Sequence, residues 1–155
     1  MATVTATRTV NAPLAEVWAS WDEFADIRKF HPDLRDSYLL ADSAATGLGA
    51  LRQCDFKDGK TYLKEKIIGY EPRQWLVIDI YETSAPIKKA GASFDFKALG
   101  PSQTEVTMRL EFTPRMGLLG QLMLPMMKRQ FAKSVTGLLE GNAAYVESQP
   151  RLQAA

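Results

Sequence analysis

The sequence predicts an α+β fold in which a curved antiparallel sheet of about seven strands wraps around one long C-terminal helix, with two short helices after the first strand. Three observations carry this reading. Residues 3–10 alternate as a strand does, and from Leu34 to Thr113 the chain keeps a period of two, interrupted only by turn residues. Beyond Pro114 the apolar spacing switches to three and four and stays there to Ser148. A sheet built from hairpins has one apolar face to bury, and the helix is the partner that can cover it. One domain over 1–148 is therefore expected, with a frayed tail at 149–155.

In the opening run TVTATRTV, Thr3, Thr5 and Thr7 share one face, while Val4, Ala6, Arg8 and Val10 share the other. Asn11-Ala12-Pro13 then starts a helix, with Pro13 in the first turn and Glu16 favouring the positive end of its dipole. That helix turns Val17, Trp18 and Trp21 inward. A second short helix, Asp22 to Phe30, carries Phe24, Ile27 and Phe30 at spacings of three and ends at His31-Pro32, because the residue before proline is pushed out of helical geometry.

About six strands follow. The first spans Ser37 to Ala41, and the loop Asp42–Gly49 after it is small-residue-rich enough to form a flexible lip. Next, Lys57-Asp58-Gly59-Lys60 joins two alternating runs, which predicts a hairpin with a two-residue Asp-Gly turn. If Lys57 faces Lys60, then Phe56 faces Thr61, Cys54 faces Leu63 and Arg52 faces Glu65. These residues and Ile67 share the more apolar face, so an arginine and a glutamate are expected opposite each other on the core side. Further strands run over Trp75–Tyr81, Lys89–Leu99 and Thr104–Phe112. Their inward sets are Leu76, Ile78 and Ile80; Phe94 and Phe96; and Val106, Met108, Leu110 and Phe112.

The final segment reads as a lead-in turn up to Leu124 and a main helix from Pro125, where a missing N–H costs little. Its apolar face is wide and expected to be buried, with Lys128, Arg129 and Lys133 on the solvated side. Met116, Met123, Met126 and Met127 are concentrated near its start, and such unbranched, polarisable side chains suit a surface that repacks around apolar ligands. Met123, Met126 and Met127 should border an entrance, while Phe131, Val135 and Leu139 fill the closed core.

Composition narrows the function. With 155 residues, 46% of them hydrophobic, the chain can bury a sizeable core. Nineteen Lys and Arg against eighteen Asp and Glu leave a formal charge of +1, which gives no general attraction for nucleic acid or an anionic membrane. The N-terminus lacks a signal-like apolar stretch and no apolar run reaches the roughly 18 residues of a membrane span, so stable membrane insertion is not expected and a cytoplasmic protein is. One cysteine and one histidine exclude an internal disulfide and leave too few ligands for a zinc site. Neither metal nor cofactor is expected.

The opening VNAPLAEVWASW, the segment GLGALRQCDFKDGKTYLKEKI and the long C-terminal helix resemble the polyketide cyclase/dehydrase branch of the START-related helix-grip proteins. The resemblance spans nearly the whole chain, and Gly49, Arg52, Gly59 and Glu65 are similar to recurrent family positions. It implies a helix-grip fold and, because the family includes lipid carriers, hormone receptors and cyclases, either binding or catalysis.

A sheet that grips a helix cannot close completely, so an apolar cavity is expected. The function expected is binding of a small, mainly apolar ligand there; the alternative is a cyclase or dehydratase using Glu65 as general base and Arg52 as oxyanion partner. Arg52 and Glu65 read either as the cavity's polar group, contacting a carbonyl, carboxylate or hydroxyl, or as a structural ion pair. Ile67, Ile78, Ile80, Phe94, Phe96, Met108, Met123, Met126 and Met127 are candidate lining residues, with Cys54 as a small buried hydrophobe. Trp21 is a candidate to close over the cavity, or a core residue. His31 is a candidate acid or base at the mouth, or a capping residue.

Overall fold

The computed structural model describes residues 1–150. The elements run β1 (Ala2–Val10), α1 (Leu14–Asp22), a 3₁₀ segment (Phe24–Lys29), β2 (Leu34–Leu39), β3 (Leu51–Phe56), β4 (Tyr62–Glu71), β5 (Trp75–Thr83), β6 (Ile87–Gly100), β7 (Gln103–Pro114) and α2 (Gly117–Ser148). From residue 151 on, the tail expected to fray lies outside the described residues.

All seven strands form one antiparallel sheet in the order β1-β7-β6-β5-β4-β3-β2. Strands β2 to β6 each pair with the next in sequence, and β1 lies at the far edge beside β7. Bulges bend it. Against β4, Tyr81 is the extra residue at one shift of register; against β5, Ile68 is the extra residue at another, and both side chains are exposed. These shifts curl the sheet so that its apolar face becomes concave.

The register expected for the β3–β4 hairpin is the one observed, with Arg52 opposite Glu65 and Cys54 opposite Leu63. The turn itself differs. Phe56 and Thr61 close it, with the Phe56 N–H donating to the Thr61 carbonyl, so the loop has four residues instead of two. The Asp58 carboxylate accepts from the backbone N–H groups of Lys60 and Thr61 and from the Thr61 hydroxyl, capturing the N–H that a two-residue turn would use. Only Gly59 has positive φ here, +77°, whereas a type I′ turn needs two such residues.

Residues 42–49 do not form a lip. Thr46 Oγ1 donates to Asp22 Oδ1 at 2.7 Å, and the Leu51 N–H donates to Ser43 Oγ at 2.7 Å, pinning the loop against α1 and away from the concave face. The strand after the short helices begins at Leu34, earlier than expected, because Leu34 already pairs with Phe56.

The long helix is continuous from Gly117 through Pro125 to Ser148, so the expected break at Pro125 is absent. Pro125 and Gln121, whose carbonyl loses its usual donor, are both exposed, and water can take that carbonyl. The expected burial of the whole apolar face is also corrected: Leu118 is 86% and Leu122 79% exposed. Only the second half is clamped. There Leu138, Leu139, Ala143 and Val146 are buried, and Asn142 ties α2 to α1 by accepting from Trp21 Nε1 at 3.1 Å and donating to Ser20 Oγ at 2.9 Å. Gly141 permits a close approach here, since a Cβ there would collide with the Phe30 carbonyl oxygen.

Candidate functional site

Because α2 is held at one end and diverges from the sheet at the other, the concave face is not completely filled. A cavity of about 820 Å³ remains between the sheet and the stretch of α2 from Met123 to Leu138. Its floor contains Ile78 and Ile80 of β5, Phe94 of β6, and Met108, Leu110 and Phe112 of β7. Its mouth is bordered by Lys57, Asp58, Lys60 and Thr61, by Ser84 to Ile87, and by the exposed Met123 and Met126.

The wall on the β3 and β4 side carries the polar centre. Directly opposed across the two strands, Arg52 and Glu65 both point inward and are buried, 3% and 6% exposed. Three donors converge on one carboxylate oxygen: Arg52 Nη2 at 2.7 Å, Arg52 Nε at 3.0 Å and the Cys54 thiol at 3.1 Å, all to Glu65 Oε1. Arg52 Nη1 donates to the Phe24 carbonyl at 2.9 Å, and the guanidinium carbon lies 3.8 Å from the Phe24 ring centre. The 3₁₀ segment thus packs over the arginine. Burial, with Glu65 adding to it, pushes the Cys54 thiol well above its ordinary pKa, so it stays protonated and serves as a donor.

His31 borders the cavity at its junction with the turn after the 3₁₀ segment. Its Nδ1 accepts from the Asp33 N–H at 3.2 Å, so in the neutral ring the proton sits on Nε2. Desolvation lowers its pKa to about 4, against the opposing pull of Asp33 and Glu65. The ring is neutral near pH 7.

Of the candidate residues named from the sequence, Arg52, Glu65, Cys54, His31, Ile78, Ile80, Phe94, Met108, Met123, Met126 and Met127 border the cavity. Three do not. Ile67 is buried outside it; Phe96 packs edge-on against Trp18 at 5.1 Å; Trp21 stands against Phe94 at 4.7 Å and is held by Asn142 instead of closing over the cavity. Phe131 and Val135, assigned to the closed core, border the cavity instead, because the helix is still diverging at their level, whereas Leu139 is buried beyond it. Ala90 and Ala92 also border the cavity, although the sequence pattern does not single them out. They continue the inward face of Phe94 and Phe96, and such small residues at inward strand positions leave the space that the larger ones fill.

No group of three or more His, Cys, Asp or Glu side chains among the described residues is placed to hold a metal ion. No helix among them is long and apolar enough to cross a membrane.

A curled antiparallel sheet closed over a long helix, with an apolar cavity between them, defines a START-like helix-grip protein. The chain belongs to the family described as polyketide cyclase / dehydrase and lipid transport, which it matches over residues 1–147. Among solved structures, it is similar to the ZhuI aromatase/cyclase from Streptomyces sp. R1128, with 15% identity, TM-score 0.83 and coverage of 97% of this chain and 96% of that one. A START superfamily protein from Mycobacterium smegmatis gives 16% identity, TM-score 0.79 and coverage of 94% and 97%. A protein from Thermobifida fusca gives 23% identity and TM-score 0.68, with 99% of this chain and 100% of that one covered. At these identities the likeness is one of fold. No curated protein matches the sequence closely enough to count as a relative.

Proposed function

We infer that the protein encloses a small, mainly apolar molecule, such as a lipid, a polyketide or another hydrophobic metabolite, between the concave sheet and the first half of α2. The observation that carries this reading is the cavity of about 820 Å³, walled by aliphatic, aromatic and methionine side chains around one buried ion pair. Apolar burial supplies the affinity, at roughly 25 cal/mol per Å² removed from water. The Arg52–Glu65 centre orients the polar end. Native mass spectrometry of protein purified from its own host tests this: a retained small molecule, lost on organic extraction, is expected. Absence of any retained molecule, together with no uptake of a neutral apolar dye, would overturn it.

A cyclase or dehydratase is the second reading, favoured by one observation: a carboxylate, Glu65, and a neutral imidazole, His31, border the same cavity. Turnover of a polyketone or hydroxy-ketone that is lost in Glu65→Gln and kept in surface variants would support it. A ligand released chemically unchanged after prolonged incubation would count against it.

A further inference from the structure

The Arg52–Glu65 pair is asymmetric in a way that selects what it can bind. Every hydrogen bond to the carboxylate falls on Oε1, and no donor among the described residues reaches Oε2. No buried side-chain nitrogen or oxygen among the described residues lacks a partner. Oε2 is therefore not sealed from small molecules, and Glu65 borders the cavity. The guanidinium is the less accessible member: its side chain is 3% exposed against 9% for Glu65. Phe24 covers the guanidinium with its ring and takes one of its N–H groups through its carbonyl. The more accessible part of the pair on the cavity side is thus a carboxylate oxygen without a donor.

Charge narrows the partner further. A ligand carboxylate at Oε2 would face a like charge a few ångströms away in a poorly solvated site. An ammonium group would be attracted by Glu65 but repelled by the adjacent Arg52. A neutral O–H meets neither penalty and satisfies the open oxygen. Resting on the enclosure reading above, we propose that the ligand is a neutral hydroxylated apolar molecule, an alcohol or phenol, whose O–H donates to Glu65 Oε2. Arg52 then acts as a positioning residue that fixes the carboxylate and offsets its charge.

The experiment follows displacement of Nile red, a neutral dye without a donor, by matched probes at pH 7.5. Dodecan-1-ol is compared with 1-methoxydodecane, 2-naphthol with 2-methoxynaphthalene, and dodecanoate is run as the anion. Each hydroxyl compound should bind at least about tenfold tighter than its methyl ether, the value of a hydrogen bond to a charged acceptor. In Arg52→Met/Glu65→Leu, which keeps the volume and removes the pair, that preference should fall to within about threefold. Ethers binding as well as the hydroxyl compounds in the unaltered protein would overturn the proposal without needing any variant, as would a preference that survives in the double variant. Dodecanoate binding tighter than dodecan-1-ol, with the advantage lost in the double variant, would also overturn it by making the guanidinium the receptor. In each of these cases Nile red still binds and the enclosure reading stands; failure of Nile red and of every probe would sink that reading as well.

Discussion

Arg52 Nη2 lies 2.7 Å from Glu65 Oε1, and the two residues are register partners across β3 and β4 on the concave face. Neither charge has bulk water to fall back on, so each depends on the other. Arg52→Ala should cost about 3–5 kcal/mol in urea unfolding, because it leaves Glu65 buried without its counter-ion. Arg52→Met/Glu65→Leu should cost far less, or stabilise. Single and double variants of equal stability would show that the pair is not energetically coupled.

Ala92 borders open space, so enlarging it should be tolerated where core overpacking would not be. Ala92→Leu is expected to keep stability within about 1 kcal/mol of the unaltered protein and to weaken uptake of a neutral apolar dye by at least about tenfold. A loss of about 1–3 kcal/mol, the usual cost of overpacking, would mean that the site is already filled.

His31 makes stability depend on pH. Its folded pKa, about 4, lies below the ordinary value of 6.5, so between these limits the unfolded chain binds a proton that the folded protein refuses. Stability contributed by the neutral ring is complete above about pH 6.5, declines as pH falls, and is lost below about 4. The loss is at most about 3 kcal/mol, and less to the extent that water in the cavity reaches the ring. His31→Asn should flatten this part of the profile. An unchanged slope between pH 6.5 and 4 would assign the dependence to carboxylates.

Gly141 sets how closely α2 approaches the segment leading to His31. Gly141→Ala should destabilise by about 1–3 kcal/mol, even though alanine is the better helix former, because the new methyl meets the backbone oxygen of Phe30. Chemical-shift changes should spread from α2 to His31. A stabilising effect near 1 kcal/mol would show that only helix propensity matters there.

The sequence by itself determined the fold class, the succession of strands and helices along the chain, and the pairing of Arg52 with Glu65. These are local properties. A period of two assigns faces, and one hairpin carries its register along both strands, even though the Asp58 side chain enlarged its turn. Only the tertiary structure decided which inward residues meet a ligand cavity and which meet one another. Leu118 and Leu122 have the same apolar character as Leu138 and Leu139, yet the first pair is exposed and the second buried. The reason is that side-chain hydrophobicity belongs to the residue, whereas the distance from helix to sheet is set by several remote features acting together. Gly141 and Asn142 draw one end of α2 inward, Ala90 and Ala92 leave room under the other, and the bulges curl the sheet between them. The same geometry moved Trp21 and Phe96 into the packed core, placed Phe131 and Val135 on the cavity wall, and left Glu65 Oε2 open beside a covered Arg52.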